Sequence, residues 1–224
     1  MFVILPWNLR QPQSKYPVPW ANTLIIAVTL LLFVLGRSWV VGPGTSAFSV
    51  VLYGFSHVGW WHLLFNMWAL WIFGHPVNRR IGNVLYLVTY VGTILALGLV
   101  ARLLLSGYLA GSSGALFAVI AIALLLLPAT VLEFVCVAVF PLTVVVGLFS
   151  APGQWFQWLV RWKLFSISAM WCLALIPLAE VWAWYWSGWS PTYLAHLGGI
   201  VCGIAAVLLF PTRITLRRKS SFAT

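Results

Sequence analysis

From Val84 to Leu105 the chain runs almost wholly apolar, with Arg102 as its one charged side chain. Wound as a helix at ~1.5 Å per residue, this run reaches about 33 Å, enough to cross a hydrocarbon core of ~30 Å. In hydrocarbon every backbone N–H and C=O must find a partner inside the chain, so a spanning run has to be helical. Comparable runs recur at Trp20–Gly36, about Trp60–Val77, Ser113–Pro128, Lys163 to about Trp186 and Tyr193 to about Phe210. The pattern predicts an all-α polytopic membrane protein, a bundle of six transmembrane helices. Only 6% of the residues are charged and 63% are hydrophobic, whereas a soluble domain carries about 25% charged residues. Such a chain cannot cover a water-facing surface.

The connections divide the chain into a lead at 1–19, a membrane domain at 20–210 and a basic tail at 211–224. The lead holds Pro6, Pro12, Pro17 and Pro19, and no small-residue cleavage site follows the first apolar run, which predicts an uncleaved anchor. Loop 37–59 is long and rich in apolar side chains, and is expected to lie against the membrane. Residues 128–162 are read as an interfacial insertion that does not cross. Val131 to Phe149 is apolar enough to span, but its β-branched content also suits a hairpin. Trp155, Trp158 and Trp162 recur at helical spacing, as in a short helix lying in the interface.

With six crossings, Arg10, Lys15, Arg79, Arg80, Arg161, Lys163, Arg213, Arg217, Arg218 and Lys219 collect on one side, against Arg37 and Arg102 on the other. The positive-inside rule then places both termini in the cytoplasm, and a prokaryotic inner membrane is the expected location. The net charge of +10 is spread among these turns and not clustered into one patch, so no nucleic-acid partner is expected. Cys136, Cys172 and Cys202 are widely spaced and form no CxxC pair, which supports neither a disulfide framework nor a metal site. No cofactor is implied. The 15 Trp suit aromatic belts at the interfaces.

Ala110-Gly-Ser-Ser-Gly-Ala-Leu-Phe-Ala118 interrupts the apolar pattern just where the fourth run begins. A hydroxyl there is either packing glue or a nucleophile. His196 opens the sixth run and shares a face with Gly199 and Gly203, a GxxxG pair that lets another helix approach closely. One crossing separates the starts of the fourth and sixth runs, so Ser113 and His196 fall near the same, non-cytoplasmic side. His62 and Asn66 share a face at i and i+4. They could donate hydrogen bonds to an oxyanion or simply stitch helices. His57 is expected to brace the loop before that helix, and His75 to sit at the surface. There is no Asp, no HExxH and no phosphate loop. Glu133 and Glu180 are far apart in the chain and make no carboxylate pair. A serine hydrolase remains, working as a Ser–His dyad because no acid lies near His196 in sequence.

At these residues the chain resembles the rhomboid family of intramembrane serine proteases. The resemblance covers most of residues 53 to 210. It rests on His57-Val-Gly-Trp-Trp-His62-Leu-Leu-Phe-Asn66-Met, on Gly111-Ser112-Ser113-Gly114 as the family's GxSG, and on Ala195-His196-Leu-Gly-Gly199-Ile-Val-Cys-Gly203 as its AHxxGxxxG. It implies a six-helix core, cleavage of single-span, membrane-anchored substrates, Ser113 as nucleophile and His196 as general base. It also implies His62 and Asn66 as oxyanion donors beside the Ser113 N–H. The chain departs from the family pattern at Phe48-Ser49, where Trp-Arg is frequent, at Asn78, where Glu is common, and at Phe117, where Tyr is often found. A rhomboid-like protein that binds membrane segments without cutting and a small transporter are the alternatives. Both Ser113 and His196 being present argues against the first. The collection of polar groups near one side argues against the second.

Overall fold

The computed structural model describes residues 2–9, 18–127, 131–139 and 160–211. It is mostly helical. Helix α1 spans Trp20–Val34, a short α2 spans Ser49–Leu52, and a 3-10 turn follows at Tyr53–Phe55. The second apolar run is one winding rod in three parts: α3 at Trp60–Ala69, a π-helical turn at Leu70–Gly74 and α4 at His75–Ile81. Then come α5 at Asn83–Leu104, α6 at Ser113–Leu126, α7 at Ala169–Trp186 and α8 at Pro191–Leu209. Three of these, α5, α7 and α8, are long and apolar enough to cross a membrane; α1 and α6 are shorter apolar helices.

The all-α expectation needs correcting, because three strands form an antiparallel sheet in the order β1-β2-β3. Here β1 is Phe2–Leu9, β2 is Val131–Val139 and β3 is Val160–Ser168. Val131–Val139 forms a strand, as its β-branched content allows, and pairs with β1 and β3; the rest of the run considered for a hairpin, 140–149, lies outside the described residues. Val131 lies opposite Ser168 and Val139 opposite Val160, while Leu9 lies opposite Leu132. The expected lead and the expected insertion are thus joined by a strand pair. Lys163 belongs to β3 and not to the fifth apolar run, whose helix starts at Ala169 behind the Ser168 cap. Trp162 also lies in β3, opposite Val137, and not on a short helix; Trp155 and Trp158 lie outside the described residues.

The core is built around α6. Its residues Gly114 to Leu116 and Ala118 to Leu124 are buried, as befits a helix that is apolar all round. Helix α8 lies against it through glycine. A Cβ on Gly199 would overlap the carbonyl oxygen of Gly114, and one on Gly203 would sit 2.5 Å from the Ala118 oxygen. The GxxxG face thus does what its spacing predicts.

A second buried knot is polar and ties α1, α4 and α5 at the opposite end of α5 from Arg102. Asn78 Oδ1 accepts from the Asn22 N–H at 2.9 Å, and Tyr86 donates to Asn22 Oδ1 at 2.6 Å. Asn22 also donates to the Leu70 carbonyl at 3.0 Å, inside the π turn. Such turns free a carbonyl from the regular ladder. Asn78, one of the positions that depart from the resembled pattern, is fully enclosed and hydrogen-bonded. His75 joins this knot: its Nδ1 lies 2.9 Å from Asn22 Nδ2 and its ring packs 4.2 Å from that of Trp71. It stays partly exposed, near the surface as expected, while taking part in this knot.

The loop before α3 packs on α5. Tyr53 donates to the Ile94 carbonyl at 3.0 Å, and Val41 pairs with Leu109 as an isolated bridge. Outward, large apolar side chains stay uncovered, among them Trp60, Trp61, Trp71, Trp171, Trp182 and Trp186. In water so broad an apolar surface would demand a partner; in a bilayer, lipid covers it.

Candidate active site

Ser113 is the first residue of α6, and Ser112 is the cap before it. The chain enters this corner through Gly111, whose φ of +120° suits glycine and strains any other residue. Space makes the same demand, since a Cβ there would lie 2.8 Å from His62 Cε1 and 3.1 Å from Nε2. The imidazole of His62 therefore lies flush against the backbone that presents the two serines.

The two hydroxyls meet different histidines. Ser113 Oγ lies 2.9 Å from His196 Nε2. Ser112, almost fully buried, has its Oγ 3.2 Å from His57 Nε2. Geometry alone thus separates the adjacent serines: one faces a histidine beside a recess lined by Tyr53, Ala110, Gly114 and Thr192, the other a histidine locked in the loop. Phe117, one turn after Ser113, stacks on His196 with ring centroids 4.3 Å apart and planes at 11°. The missing phenol oxygen leaves that contact intact. Tyr193 meets the same ring edge-on at 5.9 Å.

His62 and Asn66 lie on α3 as the spacing predicts, but they are not equivalent. His62 stands against Gly111 and 5.0 Å from the His57 ring. Asn66 is buried, and its Nδ2 donates to the His62 carbonyl at 2.8 Å. One amide hydrogen is spent on its own helix and one is left to offer. Neither side chain is hydrogen-bonded to Ser113 among the described residues.

One residue at the site escapes the sequence argument. Glu180 Oε2 lies 2.7 Å from His196 Nδ1, and the two side chains are 15% and 13% exposed. The dyad expected for want of a nearby acid therefore has a carboxylate at its far end. A signal was present in the chain. Glu180 and His196 are equally far from Gly188, which sits in the tight turn between α7 and α8 with φ +69°. Two antiparallel helices joined by so short a turn bring equidistant residues alongside each other. Searching for a carboxylate pair, or for an acid close in sequence, misses this.

Burial pushes the His57 imidazole down to about 4, and His62 beside it acts in the same direction. The unfolded chain binds its proton near 6.5, so stability is full above that pH and falls as pH drops from 6.5 towards 4. The loss is expected to be on the order of 3 kcal/mol at about 1.4 kcal/mol per unit. Urea unfolding in detergent at pH 7.5 and pH 4.5 measures it. His57→Gln is expected to remove most of the slope; an unchanged slope would assign it to another group.

Residues 44–213 match the family model described as Rhomboid domain. The chain is also 32% identical over 168 residues to Rhomboid protein 1, mitochondrial, of Saccharomyces cerevisiae, an alignment that takes in 71% of this chain and 41% of that protein. The chain thus spans about two fifths of the length of this relative.

Proposed function

The chain belongs to the rhomboid family, and from that premise we propose that it is an intramembrane serine endopeptidase that cleaves single-span, membrane-anchored proteins. The observation that carries this reading is the 2.9 Å approach of His196 Nε2 to Ser113 Oγ at the start of a buried helix. A nucleophile needs a base at hydrogen-bond distance and an open approach; Ser113 lines a recess, whereas Ser112 is buried against His57.

In the proposed reaction His196 Nε2 takes the Ser113 proton while Oγ bonds to a substrate carbonyl carbon. The charge that develops on the carbonyl oxygen is met by the Ser113 N–H, by His62 and by the free amide hydrogen of Asn66. His196 returns the proton to the leaving nitrogen as the C–N bond breaks. Water then attacks the acyl carbon, losing a proton to Nε2, and Ser113 recovers its hydrogen.

The test is cleavage of a single-span substrate co-reconstituted in liposomes, with catalytic and oxyanion variants side by side. His196→Ala is expected to reduce kcat to background. Asn66→Ala is expected to cost about 10²–10³ in kcat, the value of one oxyanion donor. Equal and total loss in both, with normal folding, would show that Asn66 does more than donate.

Six crossings follow if α1, the α3–α4 rod and α5 to α8 each span. The edges of the β1-β2-β3 sheet carry backbone groups that hydrocarbon cannot satisfy, which supports a sheet outside the bilayer on the side rich in Lys and Arg. The same charge bias supports a prokaryotic inner membrane with both termini cytoplasmic. Single cysteines at Gln154 and Ser220, in a chain with Cys136, Cys172 and Cys202 replaced by alanine, are expected to be labelled from one side and a cysteine at Ser187 from the other. Labelling of Gln154 and Ser220 from opposite sides would sink this topology.

A further inference from the structure

Helix α7 offers lipid an apolar flank, with Met170, Trp171, Leu178 and Trp182 all exposed. Glu180 is out of place on it. An acidic side chain within a spanning helix is costly and is kept where it has a partner and a task. Its partner is the one imidazole that also reaches Ser113, through the opposite ring nitrogen. Glu180 Oε2, the His196 ring and Ser113 Oγ form a continuous line with contacts of 2.7 Å and 2.9 Å.

We propose that Glu180 is a positioning residue for proton transfer, making the site a Ser113–His196–Glu180 triad; this rests on the protease reading above. A carboxylate can only accept, so His196 Nδ1 must carry the hydrogen. A neutral imidazole has one N–H, which leaves the Nε2 lone pair facing Ser113, and the hydroxyl donates to it. Stacking on Phe117 fixes the ring plane. It does not choose between the two tautomers, nor between the two flipped orientations within that plane; Glu180 chooses both. When Nε2 takes the serine proton the ring becomes a cation, and the carboxylate stands against its far edge in a poorly hydrated site. Glu180 gains no proton at any step. It is held there by the tight turn at Gly188, which sets α7 beside α8.

The test uses full-length protein carrying ¹⁵N-histidine, with His196 assigned by the signal missing in His196→Gln. Long-range ¹⁵N–¹H spectra are expected to show His196 protonated at Nδ1 in the wild type and in Ser113→Ala, and redistributed towards Nε2–H in Glu180→Gln. Cleavage by Glu180→Gln is expected to lose about 10²–10⁴ in kcat with KM changed less than about threefold, as for the acid of other serine triads. Glu180→Asp is expected to recover at least about tenfold of that loss, since charge and acceptor return with a shorter reach. A melting temperature for Glu180→Gln close to wild type separates positioning from unfolding. Unchanged tautomer, or kcat within about threefold of wild type in Glu180→Gln, overturns the proposal. A wild type that neither cleaves nor reacts with a fluorophosphonate overturns the protease reading instead, and the spectra then decide the role of Glu180 in holding the ring.

Discussion

Ser113→Ala is expected to bring cleavage down by about 10⁶-fold, to background, because a missing nucleophile cannot be replaced by the rest of a triad. Covalent labelling by a fluorophosphonate is expected to vanish with it, while the melting temperature stays near wild type. The side chain is half-buried and its hydrogen bond to His196 is made by a group that can turn to water. Ser112→Ala is expected to behave in the opposite way. Its hydroxyl is buried against His57, so removal leaves an imidazole nitrogen without its partner at a cost of about 1–3 kcal/mol. Labelling should survive. If Ser112→Ala loses the label and Ser113→Ala keeps it, the nucleophile is the other serine, and the 2.9 Å contact with His196 is structural.

This contrast shows what the chain reveals before it is folded. The Gly-Ser-Ser-Gly corner, the histidine on the GxxxG face and the i, i+4 pair on α3 are local patterns. A helix of known pitch converts their spacing directly into a shared face, and the observed α3 and α8 carry those residues as expected. Which of two adjacent serines meets which histidine is not local. It depends on Gly111 at φ +120° turning the chain just before the helix. The Ser112–His57 contact joins residues 55 apart, and no periodicity encodes it.

Glu180 and the sheet mark the other boundary. An acid 16 residues before its histidine is legible only once the intervening turn is recognised as a tight one between antiparallel helices. The sheet unites Phe2–Leu9 with Val131–Val139 across most of the membrane domain. The β-branched content at Val131 announces strand propensity, but propensity names no partner. The polar knot at Asn22, Asn78 and Tyr86 escapes for the same reason: each residue looks like a lone polar group in an apolar run, and each is satisfied by the others.

Among the described glycines, Gly199→Ala is expected to be the most damaging alanine substitution. The added Cβ would fall on the carbonyl oxygen of Gly114 and 2.9 Å from its carbon. Both belong to the backbone of α6, so no rotamer change can make room, and α8 has to retreat as a body. Overpacking of this kind costs about 1–3 kcal/mol and occasionally more, and a backbone collision sits at the upper end. Function should suffer as well. Gly114 directly follows Ser113, and His196 lies one turn before Gly199, so the retreat opens the serine–histidine contact itself. A misplacement of about 1 Å can cost on the order of 10² in rate. The control is Gly92→Ala on α5, where a Cβ meets nothing within 4 Å. There the gain in helix propensity, about 1 kcal/mol in a soluble host, makes the change neutral or stabilising. Thermal unfolding in detergent and single-turnover fluorophosphonate labelling, run on both variants, measure the two effects. A Gly199→Ala protein that melts and labels like the wild type would mean that α6 and α8 do not meet at this glycine, and the geometry that brings His196 to Ser113 would fall with it.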